Sequence, residues 1–122
     1  LYDGLYRTAE VTGDAKYLAA LIRLGTQSGW MPGERIYHAD DHAVGHAWLD
    51  IYLMDRTRTE RLTPMRERMD YVISHPVTEK VVHGTPPKTS GVTVSDRWSW
   101  CDALYMAPPT LTRLHAATGD KR

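Results

Sequence analysis

Two stretches decide the fold: "GLYRTAEVTGDAKY", Gly4 to Tyr17, and "TLTRLHAATGDKR", Thr110 to Arg122. Each is an apolar helix pattern stopped by Thr-Gly-Asp and followed by a basic residue. Gly13 suits the left-handed stop, and Asp14 can cap the helix that follows. The tripeptide returns at Thr118-Gly119-Asp120, and "HAWLDIYLMDRTRTER", His46 to Arg61, fits between as a degenerate copy. A helix stopped sharply and followed by another helix is a hairpin. These copies are spaced too widely for the roughly 34-residue tetratricopeptide period.

Outward from these stops the chain reads as all-α. The patterns predict helices over Asp3–Val11 and Ala15–Ser28, the second burying Tyr17, Leu18, Leu21, Ile22 and Leu24. "WMPGERIYH" reads as a loop by its Pro-Gly pair. A third helix is expected from Asp40 or Asp41 to Met54, burying Val44, Trp48, Ile51 and Tyr52, and a fourth from about Thr59 to Ile73. The fourth reads as a solvated outer face with charge pairs. A last helix runs from near Trp100 to Ala117, with a kink or break near Ala107 where Pro108 and Pro109 intervene. The only β-branched run, "SGVTVS" at 90–95, lies in a long Pro- and Gly-bearing excursion from His75 to Ser95, longer than a mere connector. The chain stops where the second helix of a third hairpin is due. The expectation is a fragment of about two and a half hairpins from a larger ring or solenoid, with the remainder missing from this chain.

With 122 residues and 42% hydrophobic content, one domain's worth of chain has material for a core. Lys+Arg and Asp+Glu both number 15, so no net field gathers nucleic acid or an anionic membrane surface. No apolar run approaches the roughly 20 residues needed to span a bilayer. The single cysteine, Cys101, has no disulfide partner in the chain and reads as a small packing residue. Tyr105 and Met106 read as core. The chain opens at Leu1 instead of a methionine, so no compartment is read from its start.

The chemistry gathers around "RWSWCDALYMAPPT", Arg97 to Thr110, where Arg97, Trp98, Trp100 and Asp102 stand within six residues. Charges beside flat rings suit a sugar pocket. In stacked hairpins the first helices run parallel and their starts meet at one mouth, where Asp3, Asp40/Asp41 and Asp102 all fall and where the helix dipole favours negative charge. Each can also be a plain N-cap. Tyr37, His38 and His42 accompany Asp40 and Asp41, as the tryptophans accompany Asp102. Paired carboxylates with stacking rings point to chemistry at a glycosidic or enol-ether carbon, and Arg97 could grip a substrate carboxylate.

"HADDHAVGHAWLDIY" and "RWSWCDALYMAPPTLTRLHAATGD" resemble the unsaturated rhamnogalacturonyl hydrolases of glycoside hydrolase family 105 and the related unsaturated glucuronyl hydrolases of family 88. The resemblance implies that residues 1–122 are a fragment of a single (α/α)6 barrel domain. It implies a metal-free, cofactor-free reaction on small oligosaccharides that end in a 4,5-unsaturated uronic acid. By the same resemblance Asp102 is the acid/base that protonates C4 and activates the water attacking C5. One of Asp40 and Asp41 is the second active-site aspartate. Adjacent helical positions diverge by about 100°, so the motif leaves open which of the two faces the pocket. Trp100 matches a ring lining the sugar site; Trp98, Arg97, Tyr37, His38 and His42 are placed by position as substrate-binding residues.

Two other readings compete. His38, His42 and His46 recur at four-residue intervals, which invites a zinc or similar ion. Three such ligands on one straight helix spread over about 12 Å, so at most two could share an ion. The alternative is a non-catalytic helical module that binds glycan or peptide on a concave face and would keep binding without its acids.

Overall fold

The computed structural model describes residues 1–76, 98 and 101–122, and the Thr-Gly-Asp stop is built alike at both of its occurrences. Gly13 and Gly119 both take left-handed backbone, with φ of 66° and 76°. Each donates its N–H back into the helix it ends, to Ala9 and to His115. Thr12 and Thr118 use their hydroxyls twice, donating to the carbonyl four residues earlier and accepting the N–H of Asp14 and Asp120. The aspartates then accept the N–H two residues on, from Lys16 and Arg122. Only glycine takes this φ without steric cost, so the tripeptide ends the helix at both places, and Asp14 also caps the helix that starts at Ala15. The middle copy differs: it ends at Asp55, in extended backbone, with Asp55 accepting both the N–H and the hydroxyl of Thr57.

The described residues form five α-helices: α1 Tyr2–Thr12, α2 Ala15–Gln27, α3 Ala39–Met54, α4 Thr63–Ser74 and α5 Ala103–Thr118, with a single 3-10 turn at Thr59–Arg61. No strand occurs among them. This is an all-α architecture of helical hairpins, the build of part of an (α/α)6 barrel. Helix α3 is its axis. Buried residues surround it, as expected of a helix apolar on every side. On one side Ala47, Trp48 and Ile51 meet Leu21 of α2 and Trp30; on the other Leu49 and Tyr52 meet Leu62, Met65 and Met69 of the α4 segment and Leu114 of α5. Val44 is only half-buried.

Between α2 and α3 the chain turns sharply. The N–H of Trp30 reaches the Gly25 carbonyl at 2.8 Å and that of Gly29 reaches Thr26, a Schellman closure in which Gly29 and Trp30 both have positive φ. A side chain at Gly25 would fall on the Trp30 indole, so this glycine makes room for the ring.

Several expectations are corrected. The fourth helix does not run unbroken from Thr59. Pro64 has no N–H to continue a helix from Glu60, so one 3-10 turn precedes a fresh start at Thr63 with proline in its first turn. Nor is that segment a solvated face: Leu62, Met65 and Met69 are core, and Arg61 is buried beneath Trp30. Its outer side does carry the expected pairs, Arg58–Glu60 and Arg66–Asp70. Helix α5 begins at Ala103 and passes through Pro108 and Pro109 without a break. The carbonyls those prolines leave without a helical partner belong to Leu104 and Tyr105, both on the side of α5 turned away from α3. Because α5 turns Ala103, Ala107, Thr110 and Leu114 inward, Tyr105 is 78% exposed and not core, and Met106 is half-buried. Cys101 lies exposed in the turn before α5, not packed. The 90–95 run and nearly all of the 75–95 excursion lie outside the described residues.

Candidate active site

The side chains of α3 and α5 fix how the two helices align. His46 Nε2–H donates to the Met106 carbonyl at 2.7 Å, Arg113 forks onto Asp50 at 2.8 and 3.1 Å, and Arg56 reaches the carbonyls of Ala116 and Ala117. The partners climb together, so the helices run parallel. Asp41 precedes His46 by five residues and Asp102 precedes Met106 by four. At about 1.5 Å per residue, both starts lie at one end of the pair and within about a turn of the same level. Close packing keeps them there: a Cβ on Gly45 would come within 2.8 Å of Met65 Cε and Thr110 Cγ2.

Helix α1 runs the same way but is set further along. Tyr2 packs its ring 4.8 Å from Trp48, and Arg7 reaches Asp50. Asp3 therefore starts beside the middle of α3, paired with Arg7, and does not share the mouth expected for it.

At that mouth the acids differ. Asp102 stands at the N-cap of α5, exposed, and its side chain makes no capping bond. In α3 the cap is His38, whose Nδ1 accepts the Asp40 N–H. The plain N-cap role is thus filled by neither Asp40 nor Asp41. Asp40 is half-exposed, 3.5 Å from both Arg35 Nη2 and His38 Nδ1. Asp41 is only 7% exposed and is gripped by the loop before the helix. It accepts the Arg35 N–H at 2.7 Å and the Arg35 guanidinium at 2.6 and 3.2 Å. Burial alone would push the Asp41 carboxyl up; the Arg35 bonds and charge outweigh it and hold the group below its ordinary value.

His42 is fully buried, and burial holds it below its ordinary value even though Nε2–H donates to the Ile36 carbonyl at 2.8 Å. Trp98 meets it edge-on, with ring centroids 5.6 Å apart, and rests on the α3–α4–α5 core. Trp98 has a φ of 54°, a backbone region that costs a bulky residue on the order of 1–3 kcal/mol, so its placement is imposed by its surroundings. Tyr37 is partly buried and donates its hydroxyl to the His75 carbonyl, tying the loop to the end of α4. Arg97 and Trp100 lie outside the described residues. The histidines have separate duties: His38 caps α3, His42 binds Ile36 and His46 binds Met106. Among the described residues no group of three His, Cys, Asp or Glu side chains is placed to hold a metal ion.

Arg35, Gly33 and Arg68 escape a reading by motif. Arg35 sits in a polar Pro-Gly loop, six residues ahead of the aspartate it binds. A Cβ on Gly33 would fall on the Asp41 carboxyl, so glycine is required where the loop passes over it. Arg68, on α4, donates to the Arg35 carbonyl. The only sequence signal was the Pro-Gly pair itself.

The whole chain, residues 1–122, matches the model of Glycosyl Hydrolase Family 88, and the protein belongs to that family. It is 35% identical, over 90% of its length, to an unsaturated 3S-rhamnoglycuronyl hydrolase of Formosa agariphila. A protein of the same description from Alteromonas sp. (strain LOR) is 30% identical over 99% of the chain. The chain spans 28% and 30% of the length of these two relatives. No solved structure matches it significantly.

Proposed function

We propose that this chain is part of an (α/α)6 glycoside hydrolase that removes a terminal 4,5-unsaturated uronic acid from small oligosaccharides left by a polysaccharide lyase. The observation that carries the reading is the parallel alignment of α3 and α5, which puts the starts bearing Asp40–Asp41 and Asp102 at one end. The family and the two relatives' names support the substrate class. Leu104 and Tyr105, 70% and 78% exposed on α5, suit a place inside a larger ring.

In this reading Asp102 delivers its proton to C4 of the C4=C5 vinyl ether, and water adds to C5 as Asp102 takes up the water's proton. The resulting C5 hemiketal opens to a ketone, and C1, left as a hemiacetal, expels the remaining sugar as an alcohol. One water is consumed and Asp102 ends as it began. Asp40, exposed at the rim, is the second aspartate that meets the substrate, while Asp41 is taken up by Arg35. Trp98 and Trp100 present apolar faces to the sugar, Tyr37 and His38 border it, and Arg97 pairs with the uronate carboxylate. His42 supports the rim from beneath.

The test is loss of the ultraviolet band of the conjugated uronate when the full-length protein meets unsaturated disaccharides of pectic, rhamnoglycuronyl and glycosaminoglycan types. We expect decay with at least one of them, and a fall of about 10²–10⁴-fold for Asp102→Asn. No decay with any, or equal decay in the variant, contradicts the reading. A helical module that only binds would hold these sugars without consuming the band.

A further inference from the structure

The loop from Gly33 to Ile36 is fastened to α3 and α4 at three points. Asp41 takes the backbone N–H and the guanidinium of Arg35, His42 takes the Ile36 carbonyl, and Arg68 takes the Arg35 carbonyl at 3.3 Å. The Asp41 carboxylate lies against Gly33, with no space for a side chain between them. Charge-assisted bonds to a forked guanidinium fix orientation as well as distance, and here they are joined by a backbone donor on the same residue. Arg35 also reaches toward Asp40, 3.5 Å from its Oδ2, so one guanidinium faces both acids at the start of α3.

We propose that Arg35 is a positioning residue for the reaction: by clamping Asp41 it fixes the first turn of α3 and thereby the direction in which Asp40 meets the substrate. This rests on the hydrolase reading above. Arg35 itself touches no reacting atom. It acts through Asp41, the inward member of the pair, and leaves the outward member at the rim. A displacement of about 1 Å at such a site costs on the order of 10²-fold in rate.

The test uses the full-length protein with its best unsaturated disaccharide and follows Arg35→Ala, Arg35→Lys, Asp41→Asn and the Arg35→Ala/Asp41→Asn double variant. Arg35→Ala should lower kcat about 10²-fold while circular dichroism stays unchanged, and Arg35→Lys, which retains the charge and the backbone donor, should recover part of the loss. The double variant should be no slower than the slower single variant, since both remove one clamp. If Arg35→Ala does not fold, Arg35→Gln takes its place in the same comparison. A kcat within about threefold of the parent in Arg35→Ala, or losses that multiply in the double variant, overturns the proposal even when Asp102→Asn is inactive. Retained activity in Asp102→Asn would instead overturn the hydrolase reading and this inference with it.

Discussion

His46 on α3 donates its Nε2–H to the carbonyl of Met106 on α5, 60 residues away, at 2.7 Å. The same carbonyl also accepts the Thr110 hydroxyl, whose other acceptor is the His42 carbonyl. This pair of cross-links, inside a buried interface, sets the alignment that brings the two helix starts to one end. Removing the imidazole takes away one bond between the helices and leaves the Met106 carbonyl to the Thr110 hydroxyl. His46→Ala should cost about 0.5–1.5 kcal/mol in urea unfolding and lower kcat through Asp102; a variant as stable and as fast as the parent would show that the alignment is fixed elsewhere.

Gly45 lies on α3 where side chains of α4 and α5 pack directly against its backbone. An added methyl would come within 2.8 Å of Thr110 Cγ2, a stiff β-branched side chain, as well as of the pliable end of Met65. Gly45→Ala should therefore destabilise by about 1–3 kcal/mol despite its gain in helix propensity, a sign that thermal melting reads directly. An increase in Tm would mean that the helices can part at no cost.

The two Thr-Gly-Asp stops share every bond described above, so Gly13→Ala and Gly119→Ala should cost alike, about 1 kcal/mol each, in matched denaturation curves. A large difference between them would show that one stop is held by more than its own bonds.

His42 predicts a pH dependence of stability. Burial holds its folded value below the ordinary 6.5, at which it titrates when unfolded. As pH falls through about 6.5, the unfolded chain takes up a proton that the folded one refuses, so stability declines toward acid pH. Asp41 acts in the same direction lower down: its folded value is below the ordinary 3.8, so its contribution is complete above that pH and is lost as pH falls through the folded value. Urea midpoints measured against pH should slope downward below about pH 6.5 in the parent, and the slope just below that pH should flatten in His42→Gln. An unchanged slope in the variant would assign it to another group.

What the sequence made legible was local. Helix stops, the Asp14 cap and the all-α class depend on neighbours in the chain, and Gly13, Asp14 and Gly119 behave as their residue types dictate. The motifs also marked the residues at the starts of α3 and α5. What stayed hidden depends on tertiary packing. Leu62, Met65 and Met69 were masked by the charges between them, although their spacing is that of a buried stripe. Tyr105 and Met106 looked like core until the Ala103–Ala107–Thr110–Leu114 face met α3. Arg35 carries no periodic signal, because its role is defined by a loop folding back on the acid it binds.

The claim on which the account turns is that the starts of α3 and α5 act together on one sugar ring. A double-mutant cycle of Asp40→Asn and Asp102→Asn in the full-length protein, followed through the ultraviolet band of the unsaturated uronate, tests it most directly. Residues that act as a unit give non-additive losses, so the double variant should be about as slow as Asp102→Asn alone. Losses that multiply, or an Asp40→Asn variant as fast as the parent, would contradict it.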